Sequence, residues 1–328
     1  MEKETGKNMK GIKNIYIHIT KLCNLNCKYC YFNAGKAMKK ELHFNELLSL
    51  FKEIISIGPK KVVFTGGEPL LRKDIFNLIN NFRKMLYGKK INLCLVSNGL
   101  LIDNKIALRI VELFDEVRIS IDGPPEVNDI LRGNGSFRSA VNAIKNLKNA
   151  GISPAVSITM TSLNLPVLKD FLSFLLDELF ITSFHLSILK ASGRNLNHPE
   201  LKCSWKKVSE IVGDFWQSRF GETKAFKDPG KYTPASCGNC GVGSHINILP
   251  DGSVYPCHVL SVPKLCLGNI RKTDLIKIIF ESDILSFLRS IDFTELAKSN
   301  NYLNNELKNN ICPGEILQKE PDLLKVLV

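Results

Sequence analysis

The chain has 328 residues, of which 44% are hydrophobic and 23% charged. These are globular proportions and exclude a wholly disordered chain. Forty-four Lys and Arg against 32 Asp and Glu leave a net charge of +12, which suits an acidic partner and bears on solubility rather than fold. The greasiest run, 171–181, is interrupted by Asp177 and Glu178. It falls short of the roughly eighteen apolar residues a membrane span needs. Residues 1–13 are charged and lack an apolar core, so no secretory signal is visible. A cytoplasmic location without membrane contact is expected. There, clustered cysteines serve as metal ligands or catalytic groups rather than disulfides.

In chain order, a strand is expected over 15–19 and a helix over 44–57, whose apolar residues at 44, 47, 48, 51, 54 and 55 follow the helical period. Strand 61–65, helix 74–87, strand 91–96, helix 103–114 and strand 117–121 come next. Helix 136–150 is closed by Gly151, a good C-terminal cap. Strand 155–160, helix 166–179 and strand 184–189 complete the series. Six strands alternating with helices imply parallel βαβ units with right-handed crossovers. The strands read as apolar on both faces, as buried parallel strands do. Six units are fewer than a closed eight-stranded barrel requires, so an open sheet and a partial barrel both fit.

The pattern changes after residue 189. A turn-rich stretch with a helix over 205–220 leads into a cysteine-rich stretch over 236–269. There Pro250-Asp251-Gly252 is a turn between 246–249 and 253–255, which predicts a small hairpin. Residues 273–308 read as helical. The organisation expected is a tail over 1–13, a core over 14–195, a linker with a helix over 196–234, a cysteine-rich unit over 235–275 and a helical segment over 276–328.

Ten cysteines carry the functional signal. Cys23, Cys27 and Cys30 stand as C-x3-C-x2-C directly after the first strand. Packed cysteines or part of a zinc site are the plain readings. Position argues otherwise, because active sites of parallel α/β folds lie at the carboxyl ends of strands. Three thiolates can hold a [4Fe–4S] cluster and leave its fourth iron open. Cys237, Cys240, Cys257, Cys266 and Cys312 form a second group. Cys94 reads as a small buried hydrophobe and His18 as a core histidine satisfied by a neighbour.

The loop Cys23-Asn24-Leu25-Asn26-Cys27-Lys28-Tyr29-Cys30 resembles the cluster loop of radical S-adenosylmethionine (SAM) enzymes. The resemblance continues through Thr65-Gly66-Gly67-Glu68-Pro69, Ser97-Asn98-Gly99 and Ser120-Ile121-Asp122-Gly123. It ends with Asn128-Asp129-Ile130-Leu131-Arg132-Gly133 and Gly135-Ser136-Phe137. It covers about 14–195 and implies an α/β fold, a partial (β/α)6 TIM-type barrel. It also implies that Gly66 and Gly67 let the backbone approach the methionine amino group of SAM, with Glu68 as matching anion. Ser97 and Asn98 would meet the ribose, although Asn98 equally suits a capping turn before Asp103. Ser120 and Asp122 stand at the next strand end, Tyr29 is placed near the adenine, and Arg132 pairs with the SAM carboxylate or is a solvated surface residue.

Cys237-Gly238-Asn239-Cys240, Cys257 and the Leu267-Gly268-Asn269-Ile270 stretch resemble the start of a SPASM extension. Its later cysteine run is absent, so a shortened, twitch-like α+β iron–sulfur extension with one auxiliary [4Fe–4S] cluster is implied. Cys237, Cys240 and Cys257 are its ligands, with Cys266 or Cys312 as the fourth. A zinc ribbon is the competing reading.

The resemblance implies reductive cleavage of SAM to a 5′-deoxyadenosyl radical that modifies a peptide or protein substrate. Thioether, carbon–carbon or epimerised linkages in ribosomal peptides are expected. Sulfatase maturation, small-molecule chemistry and cofactor biosynthesis are alternatives, and a zinc protein binding nucleic acid is a remote one. For epimerisation, Cys203, Cys266 or Cys312 would return the hydrogen atom. A flavodoxin or ferredoxin would donate electrons, and recognition of a leader peptide would fall to the core, to the basic surface or to a separate leader-binding protein. No nucleic-acid partner is expected.

Overall fold

The computed structural model describes residues 11–189, 192–221, 242–290 and Lys298. Strands β1 (Asn14–His18), β2 (Lys61–Thr65), β3 (Asn92–Ser97), β4 (Glu116–Ser120), β5 (Ala155–Met160) and β6 (Phe184–Ile188) pair in sequence order, all parallel. Helices α1 (Phe44–Ile57), α2 (Ile75–Leu86), α3 (Asn104–Leu113), α5 (Ser136–Asn149) and α6 (Leu168–Asp177) connect them, and α4 (Pro125–Arg132) precedes α5. The sequence pattern does not announce α4, a stretch without an apolar stripe long enough to show a period.

Local chemistry sets the helix ends. The Glu46 carboxylate accepts the His43 backbone N–H at 2.7 Å at the start of α1, and Gly58, at φ 68°, closes it. Asp103 caps α3 by accepting the Ile106 N–H at 2.7 Å, and Asn98 closes the turn before it, its Oδ1 accepting the Leu100 N–H at 3.0 Å. Gly151, at φ 102°, follows α5 as expected. Phe51 of α1 stacks on Phe82 of α2, with ring centroids 4.2 Å apart, and both rings meet Phe64 of β2.

The two faces of the strands differ, which corrects the expectation of apolar residues on both. Ile15, Ile17, Val62, Phe64, Leu93, Leu95, Val117 and Ile119 are buried against the helices. The alternate residues include Tyr16, Thr65, Arg118, Ser120, Ser157, Thr159 and His185, and these line one cavity of about 450 Å³. Tyr16 of β1 and His185 of β6 sit on strands that do not pair, yet both face this cavity. The sheet is therefore curled into a partial barrel.

Helix α7 (Trp205–Phe220) is more than a linker. It buries Val208, Val212 and Phe215 in the main core and lays Trp216 against Phe184 of β6. The cysteine-rich unit forms β7 (His245–Ile248), β8 (Ser253–Tyr255) and β9 (Gly268–Asn269), turning at Gly252 with φ 85°. Strand β7 pairs in parallel with β1, and β8 and β9 follow antiparallel, so the hairpin extends the barrel sheet. Helices α8 (Leu275–Phe280) and α9 (Asp283–Ser290) complete the described elements. Among the described residues no helix is long and apolar enough to cross a membrane.

Candidate functional site

The loop after β1 brings Cys23, Cys27 and Cys30 to the cavity wall, each half-buried and free of disulfides. Backbone contacts hold its shape: Cys23 N–H donates to the Gly35 carbonyl at 2.9 Å and Lys28 N–H to the Leu131 carbonyl at 2.9 Å. The Leu25 N–H points at Cys23 Sγ at 3.5 Å, and the Ala34 N–H at Cys30 Sγ at 3.4 Å. Burial raises the pKa of the Cys23 thiol and pushes that of Cys27 up to about 11. Lone thiolates are thus disfavoured here, and a cationic iron centre would supply the missing counter-charge.

Arg194, which carries no motif signal in the sequence, clamps this loop from the segment after β6. Its Nε donates to the Cys27 carbonyl at 2.9 Å, and its Nη1 to the Ala34 carbonyl at 2.6 Å and to Asn33 Oδ1 at 3.1 Å. Its backbone N–H donates to the Cys30 carbonyl at 3.0 Å. Gly193, at φ 62°, allows the approach, since a Cβ there would overlap the Cys30 and Tyr31 carbonyl oxygens.

Gly66 and Gly67 line the cavity, but their close neighbour is the protein's own chain. A Cβ on Gly66 would overlap the Thr20 carbonyl oxygen, and one on Gly67 the Leu22 carbonyl. Gly67 N–H donates to the Thr20 carbonyl and Glu68 N–H to the Leu22 carbonyl, both at 2.8 Å. The glycines thus seat the start of the cysteine loop, and access for a ligand is a second consequence.

Glu68 lies behind the wall, 1% exposed. Its carboxylate accepts from Ser97 Oγ at 3.0 Å, Asn98 N–H at 2.9 Å and Leu70 N–H at 3.1 Å. Burial nevertheless lifts its pKa to about 7, against these hydrogen bonds. Its oxygens are engaged by protein donors, which departs from the expected role beside the SAM amine. Asn98 Nδ2 donates to Asn24 Oδ1 at 2.8 Å, linking the β3 end to the cysteine loop.

Asp122 is a second correction. It is fully buried and is not part of the cavity wall. Its carboxylate accepts from the Tyr29 hydroxyl, from Arg132 at 2.6 and 3.2 Å and from the Thr159 N–H at 2.8 Å. Asn128 of the motif and Asn164, which the sequence does not single out, hold its backbone: Asn164 Nδ2 donates to the Asp122 carbonyl at 2.8 Å, and the Asp122 N–H donates to Asn128 Oδ1 at 2.9 Å. Arg132 is not a solvated surface residue: two of its nitrogens are committed to Asp122. Tyr29 and Arg132 still touch the cavity, as do Ser97, Asn98 and Ser120.

His18 is a core histidine, with Asn247 as its polar neighbour. Its ring lies 4.3 Å from that of Phe32, and burial lowers its pKa to about 4, against the hydrogen bond from Asn247. Cys94 is buried as expected. Cys203 packs beside the core and Cys266 Sγ lies 3.3 Å from the Gly268 carbonyl; neither lines the cavity. Cys257 Sγ accepts the Val259 N–H at 3.2 Å, and its neighbour His258 is part of the cavity wall. The expected ligands Cys237, Cys240 and Cys312 lie outside the described residues.

Comparison with known proteins agrees with this geometry. Residues 17–174 match the radical SAM superfamily, and residues 237–301 match the SPASM iron–sulfur cluster-binding domain. The mycofactocin maturase MftC of Mycolicibacterium smegmatis is 30% identical over 265 residues, 77% of this chain and 66% of the maturase. An AdoMet-dependent heme synthase of Oleidesulfovibrio alaskensis is 31% identical over 205 residues, 61% of this chain and 52% of the synthase. In structure, the chain resembles Streptococcus suis SuiB bound to its precursor peptide SuiA, with a TM-score of 0.69 at 16% identity, covering 86% of this chain and 67% of SuiB. The radical SAM domain carries a [4Fe–4S] cluster and SAM, and the SPASM domain an auxiliary iron–sulfur cluster. The residues present fit the first pair: three thiols on one loop, backbone N–H groups aimed at two of the sulfurs, and a cavity beside them. This chain belongs to the radical SAM superfamily and carries a SPASM iron–sulfur extension.

Proposed function

We propose that this enzyme modifies a peptide or protein substrate, forming a thioether or carbon–carbon linkage in a ribosomally made precursor. The observation that carries the reading is the cavity wall. It joins barrel strands to His258 of the extension, so core and extension together shape the space beside the cysteine loop. SuiB, which shares this fold, is known bound to a precursor peptide.

When bound, the cluster and SAM supply reductive cleavage of the sulfonium to methionine and a 5′-deoxyadenosyl radical, which takes a hydrogen atom from an unactivated carbon. Cys23, Cys27 and Cys30 hold the cluster, and Arg194 and the Gly66-Gly67 turn fix the loop that carries them. Ser97, Asn98 and Ser120 border the cavity at the strand ends and would meet SAM there, with Ser97 also held by Glu68 and Asn98 by Asn24. Cys257, with Cys237, Cys240 and either Cys266 or Cys312, holds an auxiliary [4Fe–4S] cluster. A flavodoxin or ferredoxin supplies the electron, and a separate protein presents the leader. If the chemistry is epimerisation, Cys312 is the remaining hydrogen-donor candidate, because the thiols of Cys203 and Cys266 are away from the cavity and Cys312 lies outside the described residues.

The test is anaerobic incubation of the reconstituted enzyme with reductant, SAM and peptides encoded by short reading frames beside its gene. The expected result is 5′-deoxyadenosine formed in step with a peptide lighter by two hydrogens. Turnover of a tetrapyrrole or nucleotide, with no peptide modified, would replace this reading with the small-molecule one that the heme synthase relative represents.

A further inference from the structure

Arg118 stands on the inner face of β4, two residues before Ser120, and therefore roughly 7 Å below the strand end that faces the cysteine loop. Its side chain is 15% exposed. Nε donates to Glu116 Oε1 at 2.6 Å. Its two terminal nitrogens have no acceptor among the described residues, although the residue borders the cavity. Lys61 of β2 pairs with the same Glu116, so one carboxylate serves two cations.

The other titratable groups around this point are neutral near pH 7. Burial raises the pKa of the Tyr16 phenol on β1 and pushes the Cys94 thiol on β3 up to about 12. His185 on β6 is open to the cavity, and its pKa falls to about 4, first through desolvation and next through the charge of Arg118. Among the described residues the Lys61–Glu116–Arg118 group thus has one more cation than it has carboxylates, and Arg118 is the member whose planar fork suits a further carboxylate. A largely buried guanidinium with free donors is costly unless a ligand completes its partners.

We propose that Arg118 is a carboxylate-binding subsite that seats an acidic group of the substrate, either an Asp or Glu side chain or a C-terminal carboxylate. The proposal rests on the peptide reading above for the identity of that substrate, and on the cavity alone for the chemistry bound. Tyr16 and His185 flank the subsite and limit the group to one that can share it with neutral neighbours.

The test treats the reconstituted holoenzyme, with SAM, with phenylglyoxal and maps arginine labelling by mass spectrometry. Three probes are compared: N-acetylglutamine, with a main-chain carboxylate; N-acetylglutamic acid α-amide, with a side-chain carboxylate; and N-acetylglutaminamide, with none. One or both carboxylates should lower labelling of Arg118 several-fold, the neutral probe should not, and the control Arg138, on α5, should be labelled equally throughout. Whichever carboxylate protects identifies its source. Equal labelling with all three probes, or full protection by SAM alone, would overturn the subsite. Calorimetric titration of the same probes into wild-type and Arg118→Gln holoenzyme is an independent measurement: a carboxylate should bind the wild type and not the variant, and equal binding to both would overturn the subsite. Neither measurement needs turnover. Carboxylate binding without modification of any peptide would therefore sink the peptide reading and leave the subsite standing.

Discussion

Arg132 closes a bidentate pair on Asp122, with Nε 2.6 Å from Oδ2 and Nη2 3.2 Å from Oδ1. The side chains are 9% and 0% exposed. This pair ties α4 to the end of β4, and through the Tyr29 hydroxyl on the same carboxylate it anchors the cysteine loop. Removing one partner leaves a buried charge uncompensated. Asp122→Ala should therefore cost about 3–5 kcal/mol. Urea unfolding of the anaerobic apo-protein measures this, and a loss below about 1 kcal/mol would show that the pair is dispensable.

The seat of the loop makes Gly67 a second sensitive point. Gly67→Ala would drive a methyl group into the Leu22 carbonyl, which is backbone and cannot rotate away. The loop should shift and its thiols lose their common wall. After anaerobic reconstitution the variant should retain less iron than the wild type at equal folded fraction. Gly88→Ala serves as the control: a Cβ there meets nothing, although the positive φ makes it slightly strained too.

Arg194 acts on the same loop from the other side through three side-chain hydrogen bonds. Arg194→Ala should speed loss of iron to a chelator under anaerobic conditions. Arg194→Lys should rescue only part of this, because a single ammonium does not reproduce the fork. Identical iron-release rates in all three proteins would remove Arg194 from the loop's support.

Glu68 predicts a pH dependence. Its folded pKa, near 7, lies above the ordinary value of 4.5, so between these values the folded state binds more protons than the unfolded one. Stability of the apo-protein should fall as pH rises from about 4.5 to 7 and level off above, by about 3 kcal/mol in the limit of that shift. Glu68→Gln should flatten this part of the profile. A wild-type urea midpoint that does not change between pH 5 and pH 8 would contradict the raised pKa.

Metal content separates the two cysteine groups. The wild type should hold about eight irons, and a Cys23/Cys27/Cys30→Ala variant about four. A fall from about four irons to none would mean that the C-terminal cysteines carry no cluster.

Much of this protein is legible without its structure. The spacing of Cys23, Cys27 and Cys30, and their place after a β-branched run, announce a thiolate metal site at a strand end. The apolar period of α1, the start of α3 at Asp103 and the turn at Gly252 are local properties of neighbouring residues, and the structure keeps all three. What the sequence hid is long-range. Pairing of β7 with β1 joins Asn14 to His245, and nothing near either residue specifies it. The commitment of Arg132 to Asp122 depends on α4 turning back over the strand end. Arg118 reads in sequence as one charge in a short strand. Only the curl of the sheet decides that its face is the inside of a barrel, where few groups can answer its charge. Local pattern sets which elements form, because it acts through adjacent backbone groups. Tertiary packing sets which polar side chains are desolvated together, and that determines where the unmatched charge lies.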